Sequence, residues 1–340
     1  DRFYLENGFF PALPLGAKEW VPQVHGFERR QCVTVTLQAA YESWCLAQMA
    51  SALGKSDDYD YFSKHAYDYQ KLCNPQTGFM APKTADGQWV QPFDPKWSGG
   101  LGGRDYFSEM NSWTYTWYVP HDVQGLIDLM GGREKFVERL DGVFAEQYDR
   151  PDAKYHFLGQ FPDETGLIGQ YAHGNEFSRH IPYLYIYAGA PWKTQRRVRE
   201  IMDIWYGTGP LGICGDEDSG LMSLWYVYGA IGLQPASIIC PNYPVWLISG
   251  PVFEKVVLDL GNGKKLLMEA KGASGKNKYI QAASFNGAPL DKAWLSHSDL
   301  QKGGKLIFKM GSKPNKEWAS SPDAAPPSMS NEGRFQIEEF

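Results

Sequence analysis

The stretch Leu37-Gln38-Ala39-Ala40-Tyr41-Glu42-Ser43-Trp44-Cys45-Leu46-Ala47-Gln48-Met49 decides the architecture of the chain up to residue 250. Leu37, Ala40, Tyr41, Trp44, Cys45, Gln48 and Met49 recur at three- and four-residue intervals, so a helix aligns them on one mostly apolar face. The pattern returns in 134–147 (Phe136, Val137, Leu140, Val143, Phe144), in 194–206 (Val198, Ile201, Met202, Trp205) and in 220–231 (Met222, Trp225, Tyr226, Ile231). Further helices are predicted near 57–73, 108–118, 121–131 and 178–189. Gly- and Pro-rich loops join them, such as Asn74-Pro75-Gln76-Thr77-Gly78 and Gly207-Thr208-Gly209-Pro210-Leu211-Gly212. No short fixed-period repeat is present. Moderate helices separated by long loops predict a helical toroid with its function on one loop face.

The pattern alternates after residue 250. Val256, Leu258 and Leu260 precede the hairpin signal Gly261-Asn262-Gly263-Lys264, and Leu266 and Met268 follow. Tyr279-Ile280-Gln281 and Phe285 lead to a second turn at Asn286-Gly287, and Lys305–Met310 reads as a last strand. The expected fold is mainly α with a β portion: helices over 1–249, then a small antiparallel β-domain of sandwich type over 250–318. The tail, 319–340, is rich in Ser, Pro and Ala over 319–331, and reads as an extended strap or as disorder.

Composition narrows the function. In 340 residues there are 12 Trp and 20 Tyr, enough to fill a core and still line a cleft with rings. The net charge is -6 without blocks of Lys and Arg, which excludes nucleic acid as a partner. No apolar run reaches membrane-spanning length. Asp1-Arg2-Phe3-Tyr4-Leu5-Glu6 is not a signal peptide, although a trimmed, exported chain would read the same. Cys32, Cys45, Cys73, Cys214 and Cys240 are odd in number, widely spaced and without a zinc pattern. They are expected as buried thiols, with one disulfide as the alternative.

Three acidic segments carry chemistry. Glu109 lies in Tyr106-Phe107-Ser108-Glu109-Met110-Asn111-Ser112-Trp113, where neighbouring rings limit water and favour the protonated carboxyl a general acid needs. The alternative is an acid complementing a helix N-terminus. Gly215-Asp216-Glu217-Asp218-Ser219-Gly220 is suited to polarising water or holding a cation, or else to capping a helix through Asp218 or Ser219. Asn175-Glu176 offers hard oxygen ligands for Ca²⁺; a surface turn is the alternative. His121, His173 and His180 lie near these segments, but a lone His is usually structural and no nucleophile accompanies them. Nothing around Cys214 would activate it. No Gly-x-Ser-x-Gly elbow appears. Gly99-Gly100-Leu101-Gly102-Gly103 lacks the Lys of a phosphate loop and reads as a lid or surface loop.

Several longer segments occur in order along the chain. They are Thr77–Pro82, Glu109–Asp122, His173–Glu176 running into His180–Tyr185, Ala190–Gln195, Gly215–Ser223, Gly250–Phe253 and Tyr279–Gln281. Taken jointly, the sequence resembles glycoside hydrolase family 92, the calcium-dependent, inverting exo-α-mannosidases. The resemblance implies an (α/α)6 barrel, of which this chain holds the later helices, followed by the β-domain. It implies Glu109 as the general acid and Asp216 and Asp218 as the base side that deprotonates water. Asn175, through its backbone carbonyl, and Glu176 would hold Ca²⁺, which would grip the mannose 2- and 3-hydroxyls. His173 would touch the leaving group, and Trp113 would pack on the sugar. Acid and base carboxyls about 6.5–9.5 Å apart are implied by inversion. The substrate would be a mannose-containing glycan, and the location secreted or periplasmic. Met110, Phe177, Arg179 and Leu221 stand where the family often has Gly, Pro, His and Gln, which leaves linkage preference open. The family also carries an N-terminal β-sandwich and earlier helices, so a companion N-terminal fragment or chain is expected. Two other readings stay open: a non-catalytic mannose-binding or structural subunit, and another (α/α)6 glycoside hydrolase.

Overall fold

The computed structural model describes residues 2–26, 29–97, 106–147, 165–215, 217, 219–236 and 243–334. The chain has a helical portion and a β portion. It divides into two compact units, Asp1–Asp122 with Gly142–Ser178, and Val123–Asp141 with Arg179–Phe340.

The first unit holds α1 (Arg2–Asn7), α2 (Cys32–Ala52), α3 (Ser56–His65), a 3-10 helix at Asp68–Leu72 and the single turn α4 (Ser112–Tyr115). It also holds the short hairpin β1 (Leu167–Ile168) and β2 (Tyr171–Ala172). α2 is its core element. Val33, Leu37, Ala40, Tyr41, Trp44, Ala47 and Ala50 are buried, whereas Met49 is 60% exposed. The buried stripe therefore sits closer to the alanines than spacing alone predicts. Small side chains let neighbouring backbone approach where Met would hold it off. No side chain caps α2 at Gln31; instead Val33 and Thr34 N–H both donate to Tyr106 O, at 3.0 and 3.4 Å. Two donors that a helix start leaves unpaired are thus satisfied by a distant segment.

The predicted helix at 108–118 shrinks to α4, because Asn111 is extended and serves as its N-cap. Beyond α4, Tyr69 Oη donates to the fully buried Asp122 Oδ2 at 2.9 Å, beside the equally buried His121. His121 Nε2 lies 2.9 Å from Ala66 O, and since a carbonyl only accepts, this nitrogen carries the proton. Tyr41, Trp44 and Tyr69 rings surround the imidazole at 6.0, 6.3 and 5.6 Å.

The second unit holds α5 (Val123–Leu129), α6 (Arg133–Val143) as far as Asp141, α7 (Pro191–Trp205) and α8 (Leu221–Ile231). The predicted helix at 178–189 is instead a 3-10 helix, Ile181–Ile186, every residue of which is buried. α7 begins with Pro191 at its first position, where a missing N–H costs nothing. Val198, Ile201 and Met202 form its buried face. Gly229 of α8 lies against that face; a Cβ there would come within 2.9 Å of Met202 Sδ. α7 also reaches the sheets: Gln195 Oε1 accepts Ile280 N–H at 3.0 Å, and Arg199 Nη2 donates to Pro251 O at 3.1 Å.

A three-stranded antiparallel sheet has the order β3 (Leu233–Pro235), β4 (Val245–Ile248), β9 (Trp294–Ser296). A five-stranded sheet runs β5 (Lys255–Asp259), β6 (Lys265–Glu269), β10 (Gly304–Gly311), β7 (Tyr279–Phe285), β8 (Ala288–Pro289). The β5–β6 hairpin turns through Gly261-Asn262-Gly263-Lys264, as the sequence signals. The second sheet is not antiparallel throughout: β10 pairs with β6 in parallel. No tight turn joins them; the chain from Glu269 to Gly304 passes through β7, β8, β9 and the short helix α9 (His297–Gln301), which permits a parallel return. Despite its composition, the segment after Trp318 is held by specific bonds. Trp294 Nε1 donates to Ala324 O at 3.0 Å and Gln124 N–H to Ser328 Oγ at 2.9 Å.

Burial lowers the His121 pKa from 6.5 to about 4, against the opposing pull of the Ala66 carbonyl and Asp122. The unfolded chain takes up this proton below pH 6.5, the folded protein only near pH 4. Stability is therefore complete above 6.5 and is lost as pH falls through that window, by about 3 kcal/mol in total. Urea denaturation across pH 4–7 is expected to show this loss, and His121→Gln is expected to be less stable at pH 7 but flatter with pH. Parallel pH profiles for the two proteins would assign the acid sensitivity elsewhere.

Candidate active site

Glu109 sits at the centre of a three-residue γ-turn. Met110 N–H donates to Ser108 O at 2.6 Å, and Glu109 has φ 62°. A non-glycine residue in this left-handed region costs about 1–2 kcal/mol, so its flanks must be held. On one side Ser108 N–H donates to Thr34 Oγ1 of α2 at 3.0 Å. On the other, the fully buried Asn111 makes two bonds. Its Oδ1 accepts Trp113 N–H at 3.0 Å, capping α4, and its Nδ2 donates to Gln170 Oε1 at 3.0 Å. Gln170 Nε2 donates in turn to Gln147 O at 3.0 Å.

The facing segment is the β1–β2 hairpin and its continuation. Gly169 is required at its turn: φ is 62°, and a Cβ would meet Val143 O and Phe144 C at 2.6 Å. His173 N–H to Gly166 O and Gly174 N–H to Thr165 O extend the ladder beyond the strands. The chain then turns at Asn175, which is fully buried. Its Oδ1 accepts Phe177 N–H at 3.1 Å and its Nδ2 donates to Glu109 Oε2 at 2.9 Å. Phe177 packs on Tyr115 and Tyr118, with ring centres 5.4 and 5.3 Å apart.

The structure thus brings Glu109 and Asn175 into direct contact, with Glu176 the next residue. Glu176 is half-buried and opens the 3-10 turn Glu176–Ser178; its carboxylate makes no hydrogen bond or ion pair with another described residue. The Asn175 carbonyl accepts Ser178 N–H at 3.1 Å, which leaves its second lone pair. His173 is fully buried, its Nδ1 2.7 Å from Tyr171 Oη. Trp113 is half-buried and meets the Phe79 ring edge-on at 4.7 Å. Asp216 and Asp218 lie outside the described residues, as do Gly99–Gly103 and Cys240.

Glu217 shows how α8 starts. Gly220 is the N-cap residue and carries no side chain; Glu217 O accepts Leu221 N–H at 3.0 Å and Glu217 Oε1 accepts Ser223 N–H at 3.3 Å. Neither Ser219 nor its side chain occupies the cap. Cys32, Cys45, Cys73 and Cys214 are thiols that are not joined in disulfides. Burial pushes the Cys214 thiol up to about 11, so it stays protonated at neutral pH and is no nucleophile. Among the described residues no three His, Cys, Asp or Glu side chains converge as a metal cluster, and no helix is long and apolar enough to cross a membrane.

Sequence reasoning missed the Asn111–Gln170 bridge. Asn111 just before Ser112-Trp113-Thr114 is a readable N-cap signal, but nothing local marks Gln170 as its partner.

A strained acidic residue bonded to a buried amide, beside a carboxylate with no partner among the described residues, suits a carbohydrate-active enzyme. Residues 2–312 match the glycosyl hydrolase family 92 catalytic domain, and the chain belongs to that family. A family GH92 α-mannosidase of Bacteroides thetaiotaomicron, solved with mannoimidazole, is 37% identical with a TM-score of 0.81, covering 96% of this chain and 40% of its own. A family GH92 inverting mannosidase of the same organism is 36% identical with a TM-score of 0.78, covering 97% and 42%. A protein of Arthroderma benhamiae described as an uncharacterized secreted glycosidase is 28% identical over 324 residues, 87% of this chain and 38% of the relative. The chain spans about two fifths of the length of these relatives.

Asn111→Ala removes a helix cap and takes the Asn111 donor away from the buried Gln170 Oε1. We expect a loss of about 2–3 kcal/mol in urea denaturation. Gln170→Leu is expected to cost a similar amount, and the double variant less than the sum because both remove one bridge. Additive losses would show that the two side chains act separately.

Proposed function

We propose that the chain carries the acid side, and with Asp216 and Asp218 the base side, of an exo-acting α-mannosidase that inverts configuration. The hydrogen bond from Asn175 Nδ2 to Glu109 Oε2 carries this reading, because it puts the candidate acid beside the candidate cation ligands. Family membership and the activities named for the two bacterial relatives support it. Glu109 protonates the glycosidic oxygen as the bond to the anomeric carbon breaks. Asp216 and Asp218 orient a water and take its proton as its oxygen attacks from the opposite face.

The donors around Asn175 fit Ca²⁺: a carbonyl with a spare lone pair and a carboxylate with no other described partner, both hard oxygens. The Asn175 carbonyl and the Glu176 carboxylate would hold the ion, which when bound supplies positive charge to the sugar hydroxyls. Trp113 offers a ring to the sugar, and His173 is proposed to act toward the leaving group.

The helices are proposed to belong to an (α/α)6 barrel completed by polypeptide equivalent to the part of the relatives this chain does not span. Apolar residues on outer helix faces support that companion: Leu46 and Met49 of α2 are 42% and 60% exposed, and Val227 of α8 is 50% exposed. The substrate is a mannose-containing glycan. The description of the fungal relative as secreted supports action outside the cytoplasm.

Hydrolysis of aryl α-mannosides tests the reading, with the chain alone and with its companion segment. We expect β-mannose as the first anomer seen by proton NMR, and loss of activity on chelation with recovery on adding calcium. Glu109→Gln is expected to lower kcat/KM by roughly 10²–10⁴-fold on poor leaving groups and much less on activated ones. Full activity of that variant on poor leaving groups would remove Glu109 from the acid role.

A further inference from the structure

We infer that the side-chain amide of Asn175 is a positioning residue for Glu109, holding Oε2 as an acceptor so that the acidic proton is carried on Oε1. The inference rests on the acid role proposed for Glu109, and it gives the Asn175 side chain a task separate from that of its backbone carbonyl.

An asparagine amide can point either way, and here its neighbours decide. Phe177 N–H can only donate, so the atom facing it at 3.1 Å is Oδ1. The amide NH₂ then faces Glu109 Oε2 at 2.9 Å. Turning the amide over would set N–H against N–H on one side. Asn175 is fully buried, so the groups released by such a turn would find no water, at a cost of about 1–3 kcal/mol each. Phe177 is itself fixed between Tyr115 and Tyr118. The orientation is therefore locked through two residues.

A carboxyl oxygen that accepts an amide hydrogen cannot also present its own proton along that line. When Glu109 is protonated, Oε1 carries the hydrogen. In the reaction that hydrogen passes from Oε1 to the glycosidic oxygen, which takes the electron pair of the breaking bond to the anomeric carbon. The attacking water supplies the new oxygen and yields its proton to the base. Negative charge grows on Glu109 as its proton leaves, and the Asn175 N–H bond strengthens with it. Asn175 thereby steadies a strained residue and favours the carboxylate left after proton transfer.

The test compares the wild type with Asn175→Ala, Asn175→Asp and Glu109→Gln. Carbon-13 NMR titration of the Glu109 carboxyl, assigned by its absence in Glu109→Gln, reads the interaction without needing turnover. Asn175→Ala is expected to raise the Glu109 pKa, since a bond to the charged form is lost; Asn175→Asp is expected to raise it further by like charge. An unmoved Glu109 titration in both variants would overturn the inference. Kinetics on aryl α-mannosides give the second arm. Asn175→Ala is expected to lower kcat rather than raise KM, by roughly 10-fold or more on poor leaving groups and little on activated ones. Its calcium titration should not change, because the carbonyl remains. Equal loss on all leaving groups would overturn the inference. If Glu109→Gln itself shows no leaving-group dependence, the acid role fails and the inference falls with it. If only Asn175→Ala lacks that dependence, the inference alone fails. Asn175→Asp, close in shape, serves where Asn175→Ala does not fold.

Discussion

Two side-chain amide bridges between segments about sixty residues apart hold Glu109 and its neighbours in place. Asn111 reaches Gln170 and Asn175 reaches Glu109, each across 2.9–3.0 Å. Both asparagines are fully buried, so each bridge either forms completely or leaves polar atoms stranded away from water. That all-or-none character keeps Glu109 at φ 62°, a conformation the isolated segment would abandon. The strain of one residue, about 1–2 kcal/mol, is of the same order as the net worth of one buried hydrogen bond. A single bridge would barely offset it; two bridges and the Ser108–Thr34 bond do so with a margin.

The supporting elements follow from ordinary packing. α2 buries small and aromatic residues along one side and hands its first free N–H groups to Tyr106, three residues before Glu109. The helix start and the acid segment therefore order each other. In the second unit α7 plays the corresponding part: Gln195 and Arg199 join it to the β portion, and Gly229 allows α8 to lie close against Met202.

The fold was legible wherever a period governs it. Helices α2, α6, α7 and α8 and the hairpin at Gly261–Lys264 follow local rules of spacing and turn chemistry. Periodicity failed at Ile181–Ile186, because a segment buried on every side presents no polar face to set the phase. It failed at 108–118, where the γ-turn at Glu109 and the extended Asn111 interrupt the helix. The parallel pairing of β6 with β10 escaped notice because hairpin signals describe neighbours in sequence only. Glu109, Asn175 and Glu176 were singled out as candidates through family resemblance. The contact between Asn175 and Glu109 was not, since nothing in either segment names the other. Asp216 and Asp218 were named through the same resemblance and lie outside the described residues.

An atomic-resolution crystal structure, collected at a pH where Glu109 is protonated, tests the central claim most directly. Unequal carbon–oxygen lengths would locate the proton. The longer Cδ–Oε1 bond is predicted, with Oε2 double-bonded in character and in contact with Asn175 Nδ2. A longer Cδ–Oε2 bond, or an Asn175 amide turned with Oδ1 toward Glu109, would contradict it.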